Sequence, residues 1–172
     1  NFYFGLNTRV DSQQFVLIAP DGTLNDGGRR YWNATSACCA GSDPADQIDD
    51  VAYIRSLITE AADTYSIDEN SIGLIGHSNG GFMSLRMACE ASDLITSVVS
   101  LAGSTFESGE GCLETATNPV SVLALHGDMD ETIFYAGVPG RYPSAPETIA
   151  QYAAQAGCST AAMLICPTRM TR

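Results

Sequence analysis

A short apolar stretch that ends in Gly-x-Ser-x-Gly constrains the fold of this chain more than any other feature. The apolar run Ile72–Ile75 leads into Gly76-His77-Ser78-Asn79-Gly80, and the segment Phe82–Cys89 that follows has a helix-forming composition. A strand, a sharp turn with a serine at its apex and a helix, in that order, form a nucleophile elbow. The pattern therefore predicts that Ser78 is a catalytic nucleophile; the alternative is an ordinary glycine-rich turn between a strand and a helix.

The residues around Ser78 suit this chemistry for physical reasons. We expect Gly76 and Gly80 to be glycines because a β-carbon at either position would collide within so tight a turn, and we expect strained backbone at the serine. The helix that follows directs its N-terminal amides and its dipole toward the serine, where they stabilise a developing oxyanion.

Length and composition exclude several classes of function. The 172 residues are enough for one domain, and their net charge of −12 argues against binding nucleic acid or anionic membrane surfaces. No apolar stretch reaches the length of a membrane span. All eight basic residues are arginine, which excludes Schiff-base chemistry, a Ser-Lys dyad and a phosphate-binding P-loop lysine. We expect neither a metal nor an organic cofactor.

The cysteines indicate an oxidising compartment. They are even in number and lack a Cys-x-x-Cys pair, which favours disulfides over zinc ligands, with buried free thiols as the alternative. We expect a secreted protein in which Cys89 is bonded to Cys112; no signal-peptide pattern begins at Asn1. The six residues are Cys38, Cys39, Cys89, Cys112, Cys158 and Cys166.

The rest of the chain alternates between strand-like and helix-like segments. This alternation predicts an α/β fold with a parallel sheet that helices cover on both faces. Helices are expected after the capping residue Asp43, over Phe82–Cys89, and from the capping box at Ser144 to Gly157. The expected strands are Gln14–Ala19, Ser71–Ile75, Ile95–Ala102 and Val120–Leu125.

A second chemical signal follows the last of these strands, in the sequence His126-Gly127-Asp128-Met129-Asp130-Glu131. Carboxylates at the C-terminal end of a parallel strand lie on the same sheet edge as the elbow serine. One of them could orient a catalytic histidine and stabilise its charged form. The alternative is a solvated acidic turn.

The histidine that would complete a triad is not found downstream of this loop. The chain contains only His77 and His126. We expect His77, next to the serine, to be a packing or supporting group, and His126 to hold the acidic loop by a hydrogen bond. Neither is expected to be the general base, without which a serine is a poor nucleophile at neutral pH.

Several motifs together resemble one enzyme family. They are Tyr31-Trp32-Asn33-Ala34-Thr35 with Cys38-Cys39, Asp49-Asp50-Val51, Gly76–Gly81, and His126-Gly127 with Asp130. In this order they resemble the secreted esterases of the polyhydroxybutyrate depolymerase and feruloyl or acetylxylan esterase group, which have the α/β-hydrolase fold. The resemblance runs from about Phe15 to Cys158.

The resemblance implies a role for five residues. Ser78 would be the nucleophile, Asp130 rather than Asp128 the acid, and the backbone N–H of Asn79 an oxyanion donor. Trp32 and Asn33 would lie near the substrate, although Trp32 could equally be a packing anchor. The substrates implied are esters attached to polymers, either hydroxyacid polyesters or feruloyl and acetyl groups on plant xylan.

The chain also departs from that family. Nothing before Phe15 matches the family's His-Gly oxyanion loop, and Cys166–Arg172 does not resemble its catalytic-histidine segment. We therefore expect residues 1–172 to be a single but partial α/β-hydrolase domain, with a gap in its sheet beside the Ser71 strand and poor stability in isolation. The alternatives are a catalytically inactive hydrolase-fold module that binds polysaccharide or polymer, and a peptidase or thioesterase on the same fold.

Overall fold

The computed structural model describes residues 3–25, 27–38, 48–107, 111 and 116–158. A short 3-10 turn, Leu6–Thr8, comes first among the regular elements. The helices are α1 (Val10–Gln13), α2 (Asp50–Thr64), α3 (Asn79–Glu90) and α4 (Ala145–Gln155). The strands are β1 (Thr23–Leu24), β2 (Arg30–Tyr31), β3 (Gly73–His77), β4 (Ser97–Leu101) and β5 (Ser121–Leu125).

The main sheet has the strand order β3-β4-β5, and both pairings are parallel. Its C-terminal ends are level, because His77 pairs with Leu101 and Leu101 pairs with Leu125. Strands β1 and β2 form a separate antiparallel hairpin. The predicted α/β class with a parallel sheet is confirmed. The predicted cover of helices on both faces is not found among the described residues, where the face that carries Ile75, Leu123 and Leu125 has no helix packed on it.

Helix α3 packs directly on β3 and β4 and forms the centre of the core. Phe82 and Leu85 of this helix are fully buried. The helix lies so close to the sheet that a β-carbon on Gly81 would be 2.8 Å from Ser100 Oγ and 3.0 Å from the Leu101 carbonyl oxygen. A glycine at this position therefore sets how closely the helix after Ser78 approaches the sheet.

Helices α2 and α4 both contribute to the core that α3 forms. Ile54 and Ile58 of α2 belong to the same core cluster as α3, and the Tyr152 hydroxyl of α4 donates to the Leu85 carbonyl of α3 at 2.7 Å. The opposite face of the sheet is apolar and open in the described residues. Its side chains include Ile75, Leu123 and Leu125, which are 36%, 52% and 50% exposed.

Two of the predicted element boundaries are wrong. Residues Gln14–Ala19 form no strand, and Val16 and Ile18 remain 43% and 42% exposed, because the apolar run pairs with no strand that the structure describes. Helix α2 begins at Asp50 instead of following Asp43, since Ile48 and Asp49 are not helical and the Asp49 carboxylate accepts the Ala52 N–H. Asp43 itself lies outside the described residues.

The other helix signals are confirmed. Ser144 forms the predicted capping box with Glu147 at the start of α4, and Gly157 follows the helix with a φ of +68°. None of the helices that the structure describes is long and apolar enough to cross a membrane.

The cysteines are partly described. Cys38 and Cys89 are disulfide-bonded, whereas Cys158 is an exposed free thiol. Cys112 lies outside the described residues, so its pairing with Cys89 stays a prediction.

Candidate active site

Ser78 occupies a strained turn between β3 and α3. Its φ of 53° and ψ of −121° lie in a region that residues other than glycine rarely adopt. Two backbone hydrogen bonds hold it there: Ser78 N–H donates to the Leu101 carbonyl at 2.8 Å, and Phe82 N–H donates to the Ser78 carbonyl at 3.0 Å. Its side chain makes no capping hydrogen bond to α3, so the hydroxyl is not used by the helix.

The two glycines of the motif differ in what they do. A β-carbon on Gly76 would overlap the Gly80 carbonyl, so the expected collision at Gly76 is confirmed. A β-carbon on Gly80 would meet nothing within 4 Å, so the expected collision there is wrong. The tight approach involves the main chain of Gly80, which is why only Gly76 must lack a side chain.

Asn79 is the first residue of α3, immediately after Ser78. The N–H groups in the first turn of a helix have no intrahelical acceptor, and the helix dipole adds partial positive charge there. The Asn79 N–H is therefore free of the helix ladder and adjacent to the serine. This is the arrangement that an oxyanion donor requires.

Asp130 is held in a defined orientation after β5. Its Oδ1 accepts the N–H groups of Thr132 at 2.8 Å and Ile133 at 3.0 Å. These bonds, the Thr132 one first, hold the pKa of Asp130 below its ordinary value despite some opposing desolvation, with smaller contributions from His126 and His77. The carboxylate is thus fixed through one oxygen and kept ionised.

The two histidines are engaged elsewhere. His126 Nε2 donates to the Ile133 carbonyl at 2.7 Å and lies 3.7 Å from Asp130 Oδ2, so the prediction that it holds the acidic loop is confirmed. His77 is exposed and stacks on Tyr3, with ring centroids 5.1 Å apart. In the described part of the chain, no hydrogen bond joins Ser78 to either histidine.

Ser78 and Asp130 lie at the same edge of the sheet. Ser78 follows the end of β3, and the Asp130 loop follows the end of β5, which is level with β3 but separated from it by β4. Two strand spacings make that separation about 10 Å between strand axes. The sheet thus places a serine and an ionised carboxylate on one side, as a hydrolase triad requires.

The Trp32–Asn33 segment lies beside the elbow. Trp32 lines the same groove as Ser78, and its indole stacks on Tyr53 with ring centroids 6.4 Å apart. Asn33 is not among the groove-lining residues, because its side-chain Nδ2 donates to the Ile48 carbonyl at 3.0 Å. The structure therefore brings Trp32 to the groove and uses Asn33 to anchor the loop.

Two charged residues that hold the Trp32–Asn33 segment are not predicted from the sequence. Asp50 is 2% exposed and accepts Asn33 N–H at 2.6 Å, and Arg86 donates to the Asn33 carbonyl at 2.7 Å. Burial raises the pKa of Asp50, while the bond from Asn33 and the charge of Arg86 oppose that shift. The Asp49-Asp50-Val51 motif draws attention to Asp50, but nothing in the motif indicates that its partner is Asn33, 17 residues away.

The groove that contains Ser78 has a volume of about 1150 Å³ and continues along the outer edge of β3. One wall is the segment 14–22 and the other is β3, whose one partner among the described strands is β4. Its floor includes apolar side chains of α2 and α3 such as Ile58 and Met83. The groove is therefore lined both by the elbow residues around Ser78 and by the side of β3 that faces away from β4.

Comparison with known proteins gives one family. Residues 6–138 match the phospholipase/carboxylesterase family. The chain is 30% identical over 135 residues to a probable feruloyl esterase C of Aspergillus flavus, a match covering 78% of this chain and 42% of that protein.

Two further relatives are also named as esterases. Feruloyl esterase D of Neurospora crassa is 27% identical over 128 residues, covering 74% of this chain and 37% of that protein. Putative esterase NocK of Nocardia uniformis is 29% identical over 126 residues, covering 73% of this chain and 34% of that protein. The chain thus spans less than half the length of each of these curated relatives.

Proposed function

The chain belongs to the phospholipase/carboxylesterase family, and from that membership we propose that it is the nucleophile-bearing part of a serine carboxylic-ester hydrolase. The observation that carries the proposal is the backbone of Ser78, whose φ of 53° and ψ of −121° hold a serine at the apex of a strand-to-helix turn. Such strain persists only where the surrounding structure enforces it, and it clusters at functional sites.

The reaction proceeds through an acyl-enzyme. Ser78 Oγ forms a bond to the ester carbonyl carbon while its proton passes to a histidine base, and the carbonyl oxygen becomes an oxyanion that accepts the Asn79 N–H. Collapse of this intermediate breaks the bond to the alcohol, which leaves with the proton from the histidine. Water then hydrolyses the acyl group from Ser78, and Asp130 orients and stabilises the histidine throughout.

The base is a histidine outside these 172 residues, because His77 and His126 both have other partners. We therefore propose that residues 1–172 are one part of a single α/β-hydrolase domain. Within the described ranges, one edge of β3 has no partner strand and Ile75, Leu123 and Leu125 are exposed, which supports this, since a finished sheet buries such groups. We expect isolated residues 1–172 to bind the dye 8-anilinonaphthalene-1-sulfonate more strongly than the full-length protein does.

The proposed substrates are esters attached to polymers, with feruloyl esters of plant cell-wall polysaccharide first. The names of two of the relatives, both feruloyl esterases, support this choice over polyhydroxybutyrate. Secretion is proposed as well, because disulfides such as those of Cys38 and Cys89 persist in oxidising compartments.

Hydrolysis by the full-length protein tests the proposal. We expect turnover of p-nitrophenyl acetate and methyl ferulate, and less of a hydroxybutyrate oligomer. Ser78→Ala should remove turnover, whereas Ser56→Ala, which deletes an exposed hydroxyl that donates to the Tyr53 carbonyl within α2, should not. A folded protein that binds xylan but hydrolyses none of these esters would instead support the inactive binding module.

A further inference from the structure

We infer that the side chain of Asn79 is a positioning residue that clamps the main chain of Trp32 and so fixes one wall of the groove relative to Ser78. This makes the Asn79 amide a determinant of which acyl groups the site accepts. The selectivity part rests on the proposed function; the clamp itself rests on geometry alone.

The clamp consists of two hydrogen bonds to one residue. Trp32 N–H donates to Asn79 Oδ1 at 2.6 Å, and Asn79 Nδ2 donates to the Trp32 carbonyl at 2.9 Å. Asn79 Nδ2 also lies 3.6 Å from Cys38 Sγ, farther along the same loop. The two residues are 47 positions apart in the chain, so the contact joins the loop to the elbow rather than stabilising either segment locally.

Only a primary amide of this length satisfies both bonds. In a hydrogen-bonded strand pair, one residue exchanges an N–H and a carbonyl with its neighbour, and the Asn79 amide offers Trp32 the same donor and acceptor. An ionised aspartate would accept from Trp32 N–H but could donate nothing to its carbonyl. The asparagine amide thus offers Trp32, the residue after β2, the donor and acceptor that a neighbouring strand would offer.

Other contacts hold the rest of the loop, so the Asn79 contact fixes the position of Trp32 in particular. Asp50 and Arg86 hold the next residue, Asn33, through its N–H and carbonyl. Trp32 itself is held by Asn79 through its main chain and by stacking on Tyr53 through its ring. Without the amide, the indole keeps its neighbours but loses its fixed distance from the elbow.

Asn79 also joins two functions in one residue. Its backbone N–H is the proposed oxyanion donor, and its side chain places the Trp32 wall. The position of the bound acyl group relative to the oxyanion donor is therefore set within a single residue. Loosening the clamp should lower affinity for acyl groups large enough to reach Trp32 more than it lowers affinity for acetyl esters.

The test follows Trp32 directly by 19F NMR of full-length protein containing 5-fluorotryptophan, with the Trp32 signal assigned by its loss in Trp32→Phe. Asn79→Ala and the nearly isosteric Asn79→Asp should both shift and broaden the Trp32 resonance and raise its solvent isotope shift. The matched control is Asn118→Ala, which removes a side-chain bond to the Ser92 carbonyl at the other end of the sheet and should leave the resonance unchanged.

Kinetics of the same variants test the selectivity. We expect the ratio of kcat/KM for p-nitrophenyl ferulate to that for p-nitrophenyl acetate to fall about tenfold in both Asn79 variants, as the loss of such hydrogen bonds allows, mainly through KM for the ferulate. An unchanged Trp32 resonance in Asn79→Asp overturns the clamp. A shifted Trp32 resonance with an unchanged ratio of the two kcat/KM values overturns the selectivity role. If the parent protein hydrolyses neither ester, both the selectivity role and the proposed function are overturned. In that case the Trp32 resonance of the variants still decides whether the clamp exists.

Discussion

Gly76, in β3, packs against the main chain of Gly80, in the first turn of α3, with no room for a β-carbon between them. This contact crosses the turn at whose apex Ser78 lies. It explains how the chain reverses from strand to helix within a few residues, and why the serine between them has a positive φ. The strain at Ser78 is therefore enforced by packing on both sides of the turn.

Substitution of these two glycines should have opposite effects. Gly76→Ala should destabilise the protein by about 3 kcal/mol, because overpacking forces the backbone to move. Gly80→Ala should be neutral or stabilise it by up to about 1 kcal/mol, since its β-carbon meets open space and alanine favours a helix. Urea unfolding followed by circular dichroism measures both, and equal destabilisation by the two variants would contradict the contact.

The two carboxylates of the acidic loop should differ in importance. Asp130→Asn keeps an oxygen that can accept the Thr132 and Ile133 N–H groups but loses the charge, so kcat/KM of the full-length protein should fall by roughly 10⁴-fold. Asp128→Asn, the control on the same loop, should change it less than threefold. The assignment would be wrong if Asp128→Asn caused the larger loss.

The ionisation of Asp130 can be measured directly. Its pKa should lie below the ordinary value of 3.8 because backbone N–H groups, first that of Thr132, stabilise the carboxylate. The stabilisation is fully present above this ordinary, unfolded-state pKa and is lost as pH falls through the lower folded-state pKa. A carboxyl 13C titration, assigned with Asp130→Asn, measures it, and a midpoint above 3.8 would contradict the structure.

The cysteine pairing is open to a chemical test. We expect peptide mapping without reductant to yield a Cys89 peptide linked to a Cys112 peptide. Iodoacetamide should modify the exposed Cys158 thiol without prior reduction. Recovery of Cys89 in a bond to any other cysteine would refute the expected pairing.

The parts of the fold predicted well were those with local causes. The elbow glycine, the strands around it and the Ser144 capping box each depend on residues a few positions apart. Similarly, the His126 hydrogen bond spans only seven positions, to Ile133. Such patterns can be interpreted in sequence because the interacting groups are neighbours along one element or turn.

The parts that failed depend on distant partners. Residues Gln14–Ala19 have the apolar composition of a buried strand, but a strand also needs a neighbour to accept its hydrogen bonds, and composition does not show whether one is present. In the same way, nothing near Asn79 indicated that its side chain binds Trp32. Whether Gly80 needed to be a glycine also depended on which face of the helix meets the turn.

The most direct test of the central claim is covalent labelling of the full-length protein with a fluorophosphonate, followed by peptide mapping. The account predicts one phosphonylated residue, Ser78, with labelling abolished in Ser78→Ala and retained in Ser56→Ala. A folded protein that is not labelled, or is labelled equally in Ser78→Ala, would contradict the assignment of Ser78 as the nucleophile.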